Sequence, residues 1–368
     1  MDAPTDQAPA LVLGLDVGGT STRALVATAD GVRVGAGRAA GGNPTGLGPA
    51  RAAAAQADAV GQALSGLDPA AVRYVVLGLA GGAALPSGED MPAGEAFARV
   101  WERAGLSCPV EYQGDALIAF VAGTDRPEGS LLLSGTGAVA IAVKDRAMAA
   151  RSDGHGWLLG DRGSGFWLGR QAVVAAMAEL DGEGPPTVLT GLVIESLSLG
   201  GAVPGTESAS VFPEGAAPVP ASPASSASAS PAGPIAAPIA ARDLVTAVMS
   251  QPPPNLARLA PLLATACAAG DRVAEGIADR AAAYLAATLS AVRGPAAATP
   301  IVLAGSILTN PTPVAARVRT ALAERWPDAV VTPALDGAAA AVWLALDRFG
   351  RPPSPAVRER LFSVSTAS

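Results

Sequence analysis

Short apolar segments separated by turn residues fill the first part of the chain. The segment LVLGLDV at residues 11–17 is followed by a Gly-Gly pair, and two further apolar runs lie on either side of an Asp-Gly pair at residues 30–31. Apolar runs of this length, broken by glycine and aspartate, are typical of β-strands joined by tight turns. The pattern predicts a three-stranded antiparallel meander between Leu11 and Arg38.

Segments with the lengths of helices and strands then alternate. An alanine-rich stretch from Pro49 to Leu67 predicts a helix, and the apolar run that starts at Val72 predicts a strand. A second helix is predicted around residues 95–104, and a further strand ends at Gly114-Asp115. The order of three strands, helix, strand, helix and strand is that of one α/β unit.

The same order begins again at LLLSGTGAVAIAVKD, residues 131–145, which predicts a strand, a glycine-rich turn and a strand. Strands are predicted at IVLAGS and AVVTP, and helices near residues 166–180, 256–293, 313–325 and 338–348. We therefore predict two similar α/β halves with a cleft between them. The predicted boundaries are residues 1–120 for the smaller half, 121–350 for the larger, and 351–368 for a tail that packs on the first half.

Between residues 203 and 240 the composition changes to alanine, serine, proline and glycine. Such a segment cannot bury enough apolar surface to offset the entropy lost on ordering. It predicts a flexible insertion in the larger half. The pattern is compatible both with a dispensable loop and with a lid over the cleft.

The charge balance argues against nucleic acid and anionic membranes as partners. The chain has 25 basic and 32 acidic residues, a net charge of −7, so it lacks the basic surface that such partners require. Lys144 is the only lysine, and no Gly-Lys pair of a P-loop exists. Cys108 and Cys267 are isolated, which excludes zinc and iron–sulfur patterns and favours a reducing compartment. No signal peptide or membrane span is recognisable, so we expect a cytoplasmic protein.

Two glycine turns carry the chemistry that the sequence indicates most clearly. Asp16, Gly18, Gly19 and Thr20 stand where the first predicted strand turns into the second, and SGTG at residues 134–137 stands at the same place in the second half. Glycine lets backbone N–H groups approach an anion closely, and a carboxylate can orient hydrated Mg²⁺. Each turn alone is compatible with a simple hairpin. The pair predicts a clamp for the phosphates of a nucleotide.

Three further segments are candidates for the site. Asp115 follows a predicted strand and begins a helix, where it is either an N-cap or a general base. The glycine-rich loop at residues 154–165 contains His155 and Asp161 and is suited to holding a sugar, with His155, the only histidine, in a structural or substrate-shaping role. The segment from Leu303 to Asn310 is either a simple turn between a strand and a helix or part of an adenosine pocket.

The order of these motifs resembles the sugar-kinase branch of the actin, Hsp70 and hexokinase superfold. It is most similar to N-acetylglucosamine kinases and the related BadF/BadG/BcrA/BcrD ATPase family, from about Leu11 to Leu346 without the insertion. The resemblance implies an α/β fold of two ribonuclease H-like domains with an interdomain cleft. It also implies an ATP-dependent kinase that uses Mg²⁺ and acts on an amino sugar. We further expect the protein to form a homodimer.

The resemblance assigns a role to each motif. Asp115 would take the proton from the sugar 6-hydroxyl, and Asp16 would hold Mg²⁺ through water. The residues that would contact the ATP phosphates and nucleoside are Asp16, Gly18, Gly19, Thr20, Gly135, Thr136, Gly137, Gly305, Ser306 and Asn310. The residues that would contact the sugar are Asn43, Asp115, Ala138, Val139, Gly154, His155, Gly156 and Asp161.

The chain departs from the family pattern at two places. Ala138 and Val139 replace a Ser-Asn pair that contacts the sugar, which leaves glucosamine as an alternative to N-acetylglucosamine. The loop reads Gly154-His155-Gly156 before Trp157, so its aromatic residue comes one place later. Two rivals from the same superfold are disfavoured. An activator of a radical dehydratase needs clustered cysteines, and a sugar-sensing regulator needs a DNA-binding segment before the first strand.

Overall fold

The computed structural model describes residues 9–79, 94–199 and 237–363. Most of the predicted insertion at 203–240 therefore lies outside the described residues. The chain forms two compact units, one made of the residues up to Ser164 together with those from Ala281 onward, and the other of Gly165–Arg280. The predicted boundary at residue 120 stays a prediction.

The first sheet contains the predicted meander. β1 pairs antiparallel with β2 and parallel with β4, and β2 pairs antiparallel with β3. The strand order is β3-β2-β1-β4-β5. The strands are β1 (Leu11–Val17), β2 (Ser21–Thr28), β3 (Arg33–Ala40), β4 (Val72–Leu79) and β5 (Val110–Gly114).

The second sheet repeats this topology. Its order is β10-β9-β6-β7-β8, so the first three strands again form an antiparallel meander and the last two add in parallel. This repetition confirms the predicted fold class of two similar α/β halves. The strands are β6 (Gly129–Ser134), β7 (Ala138–Lys144), β8 (Ala147–Asp153), β9 (Ile301–Ala304) and β10 (Val331–Pro333).

β8 was not among the strands predicted from the sequence. Its first five residues, AMAAR, are all exposed, so the segment has no alternation of buried and exposed positions. The turn before it places Asp145 and Arg146 at φ 51° and 54° without a glycine. A hairpin of this kind lacks the usual glycine signal.

The predicted helical segments all contain helices, with a 3-10 turn at Pro253–Leu259 where the 256–293 segment begins. The helices at Val188–Leu199 and Ala237–Met249 were not predicted, and the second begins within the predicted insertion. Several begin with a proline at the first turn or an aspartate or threonine cap, as Asp336 does by accepting the N–H of Ala338. The helices are α1 (Pro44–Leu47), α2 (Pro49–Ala63), α3 (Gly94–Arg103), α4 (Asp115–Gly123), α5 (Gly165–Leu180), α6 (Val188–Leu199), α7 (Ala237–Met249), α8 (Ala260–Ala268), α9 (Arg272–Ser290), α10 (Ser306–Thr309), α11 (Pro313–Arg325), α12 (Gly337–Arg348) and α13 (Pro355–Phe362).

Two apolar cores stabilise the unit that holds both sheets. One lies on the face of the first sheet that α2 and α3 cover, with Leu13, Val75 and Phe97 fully buried. The other contains α4 and α12 together with buried residues of both sheets, such as Val76 and Val302. These two helices therefore connect the sheets through a shared core.

The tail helix α13 contacts the first sheet. Arg33 Nε donates a hydrogen bond to the Leu361 carbonyl at 2.9 Å, and Arg360 pairs with Asp30 at 3.3 Å. Leu361 is fully buried in the same core as α12.

The contact between β1 and α12 depends on Gly14. A β-carbon on Gly14 would lie 2.6 Å from the carbonyl oxygen of Ala338 and 2.8 Å from the carbonyl carbon of Ala341. Both atoms belong to helix backbone, which cannot move aside as a side chain can. Only glycine allows the alanine-rich face of α12 to approach the strand this closely.

We predict that Gly14→Ala lowers the free energy of unfolding by about 1–3 kcal/mol, the usual cost of overpacking a close contact. Urea denaturation followed by circular dichroism measures this change. The matched control is Gly61→Ala in α2, where a β-carbon meets nothing within 4 Å. That control should raise stability by about 0.5–1 kcal/mol through helix propensity. An unchanged midpoint for Gly14→Ala would contradict the packing argument.

Candidate active site

The two predicted glycine turns occupy equivalent positions in the two sheets. Between β1 and β2 the N–H of Gly18 donates to the carbonyl of Ser21 at 2.9 Å, which leaves Gly19 and Thr20 exposed at the tip. Between β6 and β7 the N–H of Gly135 donates to the carbonyl of Gly137 at 2.9 Å, with Thr136 exposed. Each sheet therefore presents backbone and one threonine at the end of its first hairpin.

The segment after β3 lies against the first turn. The N–H of Gly42 donates to the carbonyl of Gly18 at 3.1 Å. Asn43 follows directly and is partly buried. This contact brings Asn43 to the edge of the first glycine turn. Its predicted contact with the sugar stays a prediction.

The segment after β9 lies against the second turn. Gly305 has φ 82°, and a β-carbon there would lie 2.7 Å from the backbone nitrogen of Gly135. Its positive φ and this close approach both require glycine. Ser306 and Asn310 follow on and after the short helix α10, and both are exposed. Gly305, the first of the three residues predicted to contact the nucleoside, therefore lies against the second turn.

Asp16 lies near the end of β1 and is held on two sides. Its Oδ2 accepts a hydrogen bond from Arg23 Nη2 at 2.7 Å, and its side chain is 22% exposed. A β-carbon on Gly337, the first residue of α12, would lie 2.5 Å from the same oxygen. The start of α12 therefore packs directly against the carboxylate.

Asp115 is the first residue of α4, directly after the end of β5. Gly114 occupies the N-cap position, so the carboxyl of Asp115 is not the cap that one alternative of the sequence analysis supposed. Its Oδ1 accepts the neighbouring N–H of Ala116, at 2.9 Å. The pKa of Asp115 is raised to about 6, because burial and, to a smaller extent, the negative charge of Asp16 outweigh the lowering effects of backbone hydrogen bonds and of Arg151. A carboxyl with this pKa is ionised at pH 7 and can accept a proton.

Asp161 ties the second turn to the glycine-rich loop. It is 8% exposed, has φ 57°, and its carboxylate accepts the backbone N–H groups of Ala138 and Gly156. Burial raises the pKa of Asp161, whereas these hydrogen bonds and Arg151 lower it. A β-carbon on Gly137 would lie 2.9 Å from its Oδ2. The loop and the turn therefore keep a fixed geometry through one buried carboxylate.

Arg151 and Asp153 were missed by the sequence analysis. Asp153 is buried, and its carboxylate accepts the N–H groups of Asp161 at 2.7 Å and Arg162 at 3.1 Å. Arg151 Nε donates to the carbonyl of Asp153 at 3.0 Å, and its Nη2 donates to the carbonyl of Gly154. These two side chains hold both ends of the loop. No local pattern indicated them because both lie on the unpredicted strand β8.

The remaining loop and turn residues divide into exposed and buried ones. His155 and Trp157 are exposed at the loop. Ala138 is 2% exposed and packs in the core, whereas Val139 is partly buried and lies beside Gly154, whose β-carbon would be 3.0 Å from its Cγ2. Of the two residues that depart from the family pattern, Val139 is therefore the one next to the loop.

The donor set for a divalent cation is small. Among the described residues no group of three or more histidine, cysteine, aspartate or glutamate side chains is arranged to hold a metal ion. Mg²⁺ commonly uses one or two carboxylates with waters and substrate phosphates, and the single carboxylate of Asp16 fits that requirement. Within the same residues, no helix has the length and apolar character needed to cross a membrane.

Two curated relatives align with limited parts of the chain. The N-acetylmuramic acid/N-acetylglucosamine kinase of Clostridium acetobutylicum is 38% identical over 85 residues, 23% of this chain and 28% of that protein. The N-acetyl-D-glucosamine kinase of Dictyostelium discoideum is 32% identical over 116 residues, 31% of this chain and 36% of that protein. The alignments thus span about a third of each relative.

Solved structures match the fold over nearly the whole chain. A candidate N-acetylglucosamine kinase from Chromobacterium violaceum superposes with a TM-score of 0.62 at 20% identity, covering 92% of this chain and all of that one. A ROK family glucokinase from Streptomyces griseus, in complex with glucose and AMPPNP, gives a TM-score of 0.50 at 18% identity, covering 91% and 98%. At these identities the likeness establishes the two-sheet fold.

The family model covers far more of the sequence than the pairwise alignments. It matches residues 13–345, which include both glycine turns, Asp115, the loop with Asp161 and the segment at Gly305. The topology of the two sheets and this match agree with the resemblance found from the motifs. The chain belongs to the BadF/BadG/BcrA/BcrD ATPase family.

Proposed function

We propose that this protein is an ATP-dependent sugar kinase that transfers the γ-phosphoryl group of ATP to the 6-hydroxyl of an amino sugar, with N-acetylglucosamine as the substrate. The observation that carries the proposal is Asp115. It is a carboxyl with a pKa of about 6 at the end of β5, coupled electrostatically to Asp16 beside the first glycine turn. The family match and the activities named for the two curated relatives support it.

Asp115 is the proposed general base. It accepts the proton of the sugar 6-hydroxyl as the oxygen forms its bond to the γ-phosphorus and the bond to the bridging oxygen of ADP breaks. Phosphoryl transfer depends mostly on positioning and on neutralising charge, so one well-placed carboxylate is sufficient as a base. Its pKa lies just below neutral pH, which combines a high ionised fraction with useful basicity.

The two glycine turns are the proposed phosphate clamp. Gly18, Gly19 and Thr20 on one side and Gly135, Thr136 and Gly137 on the other would donate backbone N–H and hydroxyl groups to the ATP phosphates. Gly305, Ser306 and Asn310 would contact the nucleoside. Asp16 would hold Mg²⁺ through water, and the ion when bound supplies neutralising charge to the phosphates.

The glycine-rich loop at residues 154–165 and the residues near it form the proposed sugar site. Asn43 and Asp161 would hydrogen-bond sugar hydroxyls, together with the backbone of Gly154 and Gly156 and the side chain of His155. Val139 offers no hydrogen bond at the position next to the loop. Glucosamine is therefore kept as the alternative substrate.

A coupled ADP-release assay over several sugars tests the proposal. The panel is N-acetylglucosamine, glucosamine, N-acetylmannosamine and glucose, with N-acetylmuramic acid added because one curated relative is named for it. We expect the highest kcat/KM for N-acetylglucosamine. Sugar-independent ADP release, with no phosphorylated sugar formed, would contradict a sugar kinase.

We predict that Asp115→Asn lowers kcat by about 10²- to 10⁴-fold, the usual contribution of a general base. In the wild type, kcat/KM should fall as pH drops through about 6, because Asp115 becomes protonated there. Calorimetry should find ATP binding retained in the variant. Asp58→Asn, an exposed aspartate of α2, is the matched control and should keep wild-type activity. Normal turnover in Asp115→Asn would rule out Asp115 as the base.

We predict that Arg151→Gln moves the acid limb of kcat/KM to higher pH. Arg151 lowers the pKa of Asp115, so its loss lets that pKa rise above about 6. Arg151→Lys keeps the charge and should leave the midpoint in place, although it loses the fork that binds two loop carbonyls. Arg319→Gln, an exposed arginine of α11, is the charge control. An unchanged pH midpoint of the acid limb in Arg151→Gln would refute the electrostatic coupling between Arg151 and Asp115.

We predict that Val139→Asn lowers KM for N-acetylglucosamine by about 5- to 150-fold if a sugar hydroxyl faces it without a partner. An unpaired buried polar group costs about 1–3 kcal/mol. A rise in KM instead would indicate that the valine packs against an apolar part of the sugar. Val330→Asn, at a residue that is 66% exposed, is the control. An unchanged KM for both N-acetylglucosamine and glucosamine would remove position 139 from the sugar site.

A further inference from the structure

A second concave surface lies on the α12 side of the β2–β3 hairpin. The cavity has a volume of about 320 Å³, and we call it the arginine groove. Its defining residues are Arg23, Arg33, Arg38, Leu25, Ala36 and Asp336. Leu25, which is buried, and Ala36, which is exposed, contribute apolar surface, and the other four residues are charged. None of these six residues is assigned a direct contact with ATP or sugar in the proposed phosphoryl transfer, although Arg23 bonds the carboxylate of Asp16.

Strand register places two of the arginines directly opposite each other. Asp16 pairs with Arg23 across β1 and β2, and Arg23 pairs with Arg38 across β2 and β3. Like charges at directly opposed positions of an antiparallel pair are destabilising. Arg23 has a partner in Asp16, at 2.7 Å. Within the described ranges the guanidinium of Arg38 has no hydrogen-bond or ion-pair partner; only its backbone N–H is bonded, to Gln62 Oε1 at 3.0 Å.

Arg33 is fixed at the other side of the groove. Its Nη2 bonds Asp336 Oδ2 at 3.2 Å, and its guanidinium also donates to the carbonyl of Leu361 on α13. Asp336 in turn caps α12 through the N–H of Ala338. The guanidinium of Arg33 is thus held by the carboxylate of Asp336 and the backbone carbonyl of Leu361. A chain of net charge −7 concentrates three positive side chains around one small cavity.

We propose that the arginine groove binds a phosphate monoester dianion, with the guanidinium groups of Arg23 and Arg38 as its main donors. Two opposed guanidiniums present planar forks that match phosphate oxygens, and a bound dianion removes the repulsion between them. The apolar surface of Leu25 and Ala36 suits the carbon portion of a small ester. The volume accommodates a phosphate with an organic part no larger than a monosaccharide.

Arg23 connects the groove to Asp16. A dianion bound to Arg23 and Arg38 places negative charge one side chain away from the carboxylate beside the first glycine turn. Added negative charge there disfavours the binding of ATP phosphates. Occupation of the groove should therefore raise KM for ATP, a consequence that rests on the proposed function, whereas anion binding itself does not.

Isothermal titration of the full chain at physiological ionic strength tests the site. Inorganic phosphate and N-acetylglucosamine 6-phosphate are titrated separately, without ATP or sugar, into the wild type, Arg38→Gln, Arg38→Lys and Arg319→Gln. We expect Arg38→Gln to weaken binding by about tenfold or more, as the loss of a charge-assisted bond implies. Arg38→Lys should weaken it less, and Arg319→Gln should bind as the wild type does. Thermal melting checks that all variants are folded.

The outcomes separate the possible ligands and the two proposals. Arg38-dependent binding of both probes supports a site for the phosphate group, and Arg38-dependent binding of the sugar phosphate alone supports a site for a phosphorylated sugar. Equal binding by Arg38→Gln and the wild type would overturn the proposal, because the anion would then occupy another place such as the glycine turns. No binding of either probe to the wild type would also overturn it. Arg38-dependent binding in a protein without kinase activity would refute the proposed function and leave the groove intact.

Discussion

The close packing of α12 against β1 is the constraint on which the site depends. Gly14 admits the helix backbone to the strand, and Gly337 brings the start of the same helix against Asp16. Because α12 and α4 share one core with residues of both sheets, the position of α12 also sets the position of α4 and of Asp115 at its first residue. The carboxylates of Asp16 and Asp115 are therefore placed by backbone contacts between regular elements, which gives a site better precision than long loops would.

Charge balance around Asp115 follows from this placement. Burial disfavours its ionised form and Asp16 adds repulsion, whereas Arg151 restores part of the stability of the carboxylate. Arg151 also acts on Asp161 and bonds the carbonyls of Asp153 and Gly154. One guanidinium thus links the geometry of the loop to the proton affinity of Asp115, the proposed base. A purely hydrophobic pocket would raise the pKa of Asp115 further and leave too little of it ionised at neutral pH.

The sequence was sufficient for elements that form apolar or alanine-rich runs bounded by turn residues. The meander of β1 to β3 and the helix α12 were predicted in this way, although β1 is buried on both faces and α12 is buried from Gly337 to Leu346. β8 was not, since its exposed AMAAR segment has no buried face. In the candidate site, Asp16, Asp115 and Asp161 were found from local motifs. Arg151 and Asp153 were missed because their partners are backbone groups of a folded loop, and positive φ at Asp153 without glycine leaves no local signal.

The arginine groove could not be predicted from the sequence for a related reason. Arg23 and Arg38 are 15 positions apart, and only the register of β2 with β3 makes them neighbours. A bulge between Val26 and Ala27 then returns Arg33 to the same face, where Asp336 at the start of α12 meets it. The groove and the candidate active site consequently share both a strand, β2, and a helix, α12. The proposal therefore implies that a ligand in the groove affects the candidate active site through the Arg23–Asp16 pair, because an anion that approaches Arg23 competes with Asp16 for the same positive charge.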